Sequence, residues 1–361
     1  MSYMEIGYTS AQQFCVDVFA GHGFSRDESK LITDVLLRAD LWGIESHGIQ
    51  RLVRYHSEIL SGMVSIGAQP QIVLQSPVSA VIDAQGAMGQ LVSASAMNLA
   101  IEKAQQSGIG MIAVRDSNHY GIAGYYAEMA VNADLMGVCM TNTEAIGVPV
   151  LGKKAMLGTN PIALGFPADP INFIYDASTT VAPRGKVEVY SKNDKPLPEG
   201  WAVDTSGHDT TDSAALLHNI IHKLGGGIAP LGGTSEITGG HKGYGLGIIV
   251  DLFTGILSGG ATSNYVNTRP GKSDITHFFM AVDYGIFGDK PAAKARLSAF
   301  LGELRESPKA DGQERIYTHG EKEAEMMRQR KSLGTLPVNE KTWQEMQDIA
   351  NQQKLDFGRY F

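Results

Sequence analysis

The sequence predicts an α/β fold with helical units at both ends, and three observations carry that reading. Between residues 71 and 141, short β-branched apolar runs alternate with helix-periodic segments, the order expected of a layered α/β domain. Before residue 61 the apolar period is helical, in segments too short to enclose a large core alone. After Gly320 the chain turns helical and charged again and can fold back on the first unit. At 361 residues the chain has room for two domains.

Thr9 and Ser10, three residues ahead of Gln12 and Gln13, have capping-box spacing, and Phe14, Val18 and Phe19 supply an apolar face up to Gly21. Ser25 and Glu28 form a second box ahead of Leu31, Ile32, Val35, Leu36 and Ala39. A third helix is expected over 46–60, burying Ile49, Leu52, Val53, His56 and Leu60. Strands follow at 72–74 and 80–82, an alanine-rich helix at 91–104, a strand at 110–114, a helix at 123–134 and a strand at 135–141. Beyond Pro149 the texture is more turn-rich, with strands expected at 162–166, 173–175 and 187–190. A Gly/Pro-rich loop over 225–240 precedes a helix over 244–257. A strand at 276–282 and helices over 292–304, 321–331 and 339–352 complete the reading.

Hydrophobic residues at 43% and charged residues at 19% give ample core material for a soluble globular protein. The net charge of -8 argues against a nucleic-acid partner or an anionic membrane surface. Cys15 and Cys139 lie far apart in apolar runs, as buried thiols of a reducing compartment would. The first ten residues lack a basic flank followed by an apolar core, so no signal peptide is expected. No apolar run approaches the length of a membrane span, and a cytoplasmic location follows.

Two stretches look chemically purposeful. In the first, the strand at 110–114 delivers Arg115-Asp116-Ser117-Asn118-His119 to Tyr120-Gly121 and a helix start, where unpaired N–H groups favour an anion or polarised carbonyl. An ordinary turn with a solvated histidine would read the same way. The second is Ser46-His47-Gly48-Ile49-Gln50-Arg51. If Ser46 caps a helix, His47 sits in the first turn and Arg51 one turn later on the same face. The positive helix end disfavours imidazolium, and Arg51 can grip a carboxylate bidentately, a pairing that suits a 2-hydroxy or 2-oxo acid.

Three further loops are weaker alone. Leu157-Gly158-Thr159-Asn160-Pro161 is a polar turn. Asp176-Ala177-Ser178 ends a strand ahead of Arg184-Gly185-Lys186. Gly239-Gly240-His241-Lys242 opens a helix, where phosphate binds readily. No Walker motif is present, and the one degenerate glycine fingerprint, starting at Gly108, precedes a strand instead of opening a helix. A nicotinamide enzyme of this sequence would not be a Rossmann protein. The ten histidines are scattered with no zinc-type spacing, so no metal is expected.

Taken together these segments resemble the type 2 malate/L-lactate dehydrogenase family, collinearly over nearly the whole chain. The resemblance implies an NAD(P)-binding domain with a mixed, non-Rossmann sheet over residues 69–311. A helical domain from both chain ends, 1–68 and 312–361, would pack on it, and the protein would be a homodimer. It also implies reversible hydride transfer between NAD, or NADP, and a small 2-oxo/2-hydroxy acid, with oxaloacetate/malate leading. By the same resemblance His47 is the acid/base, oriented by Ser46, although some family members use the histidine matching His119. Arg51 would bind the substrate carboxylate, with Thr159, Arg184 and Gly185 completing the substrate site. His119, Tyr120, Gly121, Ile122, Ala123, Thr143, Asp176, Ala177, Ser178, His241 and Lys242 would hold the cofactor. Gly320 and Glu321 would join them, although His319 replaces the proline usual before that pair. Lactate, ureidoglycolate, sulfolactate, diketogulonate and cyclic imine acids are alternative substrates, and a non-catalytic binding protein is the remote alternative. A second Arg or Lys facing the far end of the site would favour a dicarboxylate.

Overall fold

The computed structural model describes residues 3–361. Strand β1 (Tyr3–Gly7) leads directly into helices α1 (Tyr8–His22) and α2 (Arg26–Leu41). Two 3₁₀ turns, Glu45–His47 and Ile49–Arg51, precede α3 (Leu52–Leu60). Then come β2 (Gln71–Gln75), β3 (Ser79–Asp83), α4 (Gly89–Ser107), β4 (Ile109–Ser117), α5 (Ala123–Asn132) and β5 (Met136–Thr141). Strands β6 (Ile162–Phe166) and β7 (Phe173–Ala177) are followed by a small lobe of α6 (Arg184–Lys192), β8 (Ala202–Val203), α7 (Ser213–His222) and β9 (Gly227–Ile228). Helix α8 (Gly240–Asp251) continues as a π-helical stretch, Leu252–Ile256. The remaining elements are β10 (Ile275–Val282), α9 (Lys290–Glu306), α10 (Glu321–Leu333), β11 (Thr335–Asn339) and α11 (Glu340–Gln353).

The main sheet is mixed, in the order β2-β3-β4-β10-β5-β6-β7, and only β3 and β4 are a parallel pair. Helices α4 and α5 return the chain after β3 and β4, as the strand–helix alternation predicts. The late strand β10, however, lies between β4 and β5 and pairs antiparallel with both. Its alternation serves two cores. Phe279 and Ala281 face α4 and α5, while Phe278 packs with Ala113, Val138, Met140 and Val250 of α8 on the other side. Small residues let α4 lie close to the sheet: a Cβ on Gly110 would stand 2.0 Å from the Ala100 carbonyl oxygen.

Both chain ends share a second core. Strand β1 pairs antiparallel with β11, and Phe14, Phe19, Ile32, Leu36 and Leu52 are buried with Leu336, Val338 and Ile349. The expected box at Ser25 and Glu28 forms reciprocally. The one expected at Thr9 and Ser10 does not. Helix α1 begins at Tyr8, capped by Gly7 without a side chain, because β1 runs straight into it and the Tyr8 N–H donates to the Gly334 carbonyl.

Two other expectations are corrected. The stretch 187–190 is part of α6, not a strand; its β-branched Val187 and Val189 are outvoted by packing that buries Val187 alone. The helix expected over 46–60 begins only at Leu52 and leaves Leu60 exposed. A third core of Ile146, Val187, Leu197, Leu216, Ile220 and Ile228 stabilises the small lobe. That lobe presents Pro183, Arg184 and Gly185 to the rest of the molecule.

Candidate active site

Because β10 sits between β4 and β5, the polar ends of those strands stand on either side of it. Fully buried His277 ties them together, with Nδ1 2.8 Å from Thr141 Oγ1 and Nε2 2.9 Å from Ser117 Oγ. Its ring stacks on Tyr120, with centroids 4.5 Å apart. Asn118 donates to the carbonyls of Gly86 and Ala87 at 2.9 and 3.0 Å. His119 is thereby fixed in the wall of a cavity of about 390 Å³.

The loop carrying Ser46, His47 and Arg51 lines the facing wall of this cavity. It is two 3₁₀ turns broken at Gly48, not a helix start. The reason lies beneath it. Buried Asp40 accepts the Ile49 N–H at 2.7 Å, and a Cβ on Gly48 would fall 1.9 Å from Asp40 Oδ1. Burial pushes the Asp40 carboxyl up to about 8, against the pull of the Ile49 N–H and Arg330. From α10, Arg330 donates to the Asp40 carbonyl oxygen and, at 2.8 Å, to Glu45.

The two candidate histidines meet in this cavity. The rings of His47 and His119 stack with centroids 5.7 Å apart and planes 23° from parallel. Each is tethered through Nδ1: His47 to Ser46 Oγ at 2.9 Å, His119 to the Tyr55 hydroxyl at 2.7 Å. Nε2 of each is left without a partner among the described residues. No helix dipole acts on His47, because no helix starts there. Burial, then the charges of Arg51 and Arg54, push its imidazole down to about 4. Burial and then Arg54 hold His119 well below the ordinary histidine value.

Arg51, Thr159, Arg184 and Gly185 all line the cavity. Arg51 Nε donates to the Ser46 carbonyl at 2.6 Å, so this guanidinium is anchored by the histidine's own loop. Thr159 is set by its N–H donating to Thr143 Oγ1 at 2.9 Å, and the two hydroxyls are 3.3 Å apart. Gly185 abuts Ser46: a Cβ there would have the Ser46 Cβ 4.0 Å away as its nearest neighbour.

Comparison with known proteins identifies the family. The family model described as malate/L-lactate dehydrogenase matches residues 6–347. The chain belongs to the malate/L-lactate dehydrogenase family. It is 43% identical to the malate dehydrogenase of Pyrococcus abyssi, over 97% of this chain and 95% of that protein. To the L-sulfolactate dehydrogenase of Methanocaldococcus jannaschii it is 35% identical, over 97% of each chain. The crystal structure of malate dehydrogenase from Entamoeba histolytica superposes with a TM-score of 0.94 at 32% identity, covering 98% of this chain and 99% of that one. The protein is thus a dehydrogenase of 2-hydroxy acids, a chemistry that calls for a nicotinamide cofactor.

The residues present fit such a group unevenly. His119, Tyr120, Gly121 and Thr143 line the cavity, and Gly121 takes a φ of +89° that brings bare backbone to its wall. At the first turn of α5, Asp176 accepts the Gly124 N–H at 2.7 Å; burial pushes its carboxyl up to about 6. A Cβ on Gly124 would stand 2.9 Å from Trp42, which lines a second cavity of about 290 Å³ together with Ile174, Gly320 and Glu323. The start of α5 therefore lies beside Trp42 of this second cavity and directly follows Tyr120 and Gly121 of the first. Ile122 and Ala123 are buried and offer backbone only. Ala177 ends β7, and Ser178 Oγ donates to the Thr180 carbonyl.

Other expected contacts are not brought together. His241 and Lys242 are exposed at the start of α8 and line neither cavity. Glu321 is buried, its carboxylate taken up by Thr318, Arg315 and Arg305. Conversely, Tyr55 and Arg54 went unnoticed in the sequence. Their signal was spacing, three and four residues beyond Arg51, hidden in what reads as a plain amphipathic helix.

Two outcomes follow. Gly48→Ala should cost about 1–3 kcal/mol in a denaturant melt, from overpacking against Asp40, and displacing His47 should lower kcat on the order of 100-fold. For oxidation of a 2-hydroxy acid the base must be neutral. With both imidazoles depressed, kcat/KM should stay level as pH falls through 6.5, the ordinary histidine value, and decline only toward about 4. A limb centred at 6.5 would show that the base is not held below the ordinary histidine value.

Proposed function

We propose that this chain is a malate dehydrogenase, interconverting malate and oxaloacetate with NAD, and with NADP as the alternative coenzyme. The carrying observation is the stacked pair of hydroxyl-tethered imidazoles beside the arginines of one cavity. Arg51 holds the carboxylate next to the reacting carbon through its free edge. His119 receives the Gly121 N–H on Nδ1 at 3.4 Å, and a backbone N–H can only donate. Its own proton then belongs on Nε2, where it polarises the substrate oxygen. The Ser46 hydroxyl can accept as well as donate, so His47 can carry its proton on Nδ1 and keep Nε2 free as the base. In the reverse direction, an anionic substrate offsets the arginine field and raises the proton affinity of His47, fitting it to protonate the oxygen. The nicotinamide, when bound, supplies or takes up the hydride. His119, Tyr120, Gly121, Thr143, Asp176 and Gly320 are the residues we assign to hold it.

Sulfolactate is the second reading, because it too is a dianion and the arginine cluster suits both. Lactate would leave much of that charge unanswered. The assay is NADH and NADPH oxidation with oxaloacetate, 3-sulfopyruvate, pyruvate and bulkier 2-oxo acids. Proton transfer is worth roughly 100- to 10,000-fold, so His47→Ala should lose that much turnover while still binding NADH, and should lose the acid limb of the pH profile. If the limb persists in His47→Ala and vanishes in His119→Ala, the two roles are exchanged.

We also infer a homodimer in the cytoplasm. Two buried, unpaired thiols support the compartment. Association is supported by Leu246, Ile249, Leu252, Ile256 and Leu257, which form an exposed apolar stripe along α8 and its π-helical continuation. Sedimentation should give twice the chain mass, and Ile256→Lys should shift it toward the monomer. A monomeric wild type would refute the pairing.

A further inference from the structure

The cavity holds a cation that the sequence reading did not assign. Arg54 lies one turn along from Arg51, at the i+3 spacing that puts Cβ atoms about 5–6 Å apart on one face. Arg51, Arg54 and Arg184 share a design. Each guanidinium is anchored through Nε: Arg51 by the Ser46 carbonyl at 2.6 Å, Arg54 by Glu58 at 2.7 Å, Arg184 by Glu188 at 3.0 Å. Among the described residues none has a hydrogen-bond partner on its terminal nitrogens. The two-nitrogen edge that pairs with a carboxylate is therefore left free in all three.

The three are not equivalent. Arg184 is on the small lobe, its side chain 40% exposed against 32% for Arg54. Arg54 is on α3, directly before the Tyr55 that tethers His119, and is held from behind by a carboxylate whose second oxygen is buried and unpartnered. Arg54 acts on the rings of His47 and His119 and on Arg51. Two adjacent guanidiniums repel each other, and one of them would suffice for a monocarboxylate. Glu58 answers the Arg54 charge from behind, and the free edges of both guanidiniums, side by side next to the imidazoles, suit a substrate with two negative groups.

We propose that Arg54 is the receptor for the far anionic group of the substrate and sets the preference for dianionic over monoanionic 2-oxo acids. This rests on the dehydrogenase reading above. Arg51 takes the carboxylate beside the carbonyl; Arg54 takes the second group, a carboxylate or a sulfonate, two carbons away. Glu58 orients Arg54 and does not touch the substrate.

The test compares oxaloacetate with 2-oxobutyrate, which has the same carbon count and no far charge, in wild type, Arg54→Gln and Arg54→Lys. In Arg54→Gln, kcat/KM for oxaloacetate should fall at least 100-fold, chiefly through KM. For 2-oxobutyrate the fall should be at least tenfold smaller, and KM for NADH should not move. Arg54→Lys, which keeps the charge and the reach to Glu58, should recover part of the preference for oxaloacetate. Equal losses on both acids would overturn the proposal, as would a rise confined to the KM for NADH. Should Arg54→Gln fail to fold, Arg54→Met takes its place: a ratio between the two acids equal to that of the wild type in this uncharged variant overturns the role. A wild type that reduces no dianionic acid would instead refute the malate reading itself.

Discussion

Strand β10 is hydrogen-bonded along both edges, and the site exists because of it. It holds β4 and β5 one strand apart, with Thr141 opposite His277 and Ser117 opposite Ile275 across a register shift, so that both hydroxyls reach one position. His277 fills that position and bonds to both, and Tyr120 stacks on it. The segment after β4, with His119, and the segment after β5, with Thr143, thus leave the sheet side by side. A second buried knot supports the other wall. Asp251, at the junction of α8 and its π-helical stretch, accepts from Asn142, Asn160 and the Ser263 backbone and hydroxyl. Asn160 Oδ1 in turn receives the Thr143 N–H at 3.2 Å. Polar groups buried in this number are tolerable only when each has partners, and a satisfied network admits few alternative geometries.

The cavity above this frame is electrically biased. Its arginines are held by one edge each, and the histidines between them are kept neutral by burial and by those same charges. Such a site is costly until an anion enters. The bias gives substrate binding a direct hold on proton chemistry, since the charge that docks is also the charge that restores basicity to the ring beside it.

What the sequence disclosed was mostly local. The capping box at Ser25, the β4 run ending in His119, and the helical character of both ends depend on neighbours along the chain. The placement of β10 did not show, because a strand from residue 275 inserted between strands near 111 and 138 leaves no local trace. Val187 and Val189 misdirected the reading of α6 through their β-branching, which lobe packing overrides. The loop at Ser46 looked like a helix start because Asp40, which forbids a Cβ at Gly48, is eight residues away and beneath it. His47, Arg51, Thr159, Arg184 and Gly185 were identifiable by likeness to a family and do share one cavity. Arg54 and Tyr55 were not singled out, since their meaning lies in what α3 faces. His241 and Lys242 lie outside both cavities of this chain.

Helix α10 joins two places that would otherwise be independent. Gly320, its N-cap, lines the second cavity, and Arg330, in its last turn, grips the Asp40 carbonyl and Glu45 under the histidine loop. Thirteen residues of α-helix make a rod of about 20 Å. From Gly320 to Arg330, ten residues or about 15 Å, one unbroken helix thus connects the wall of the second cavity with the floor beneath His47.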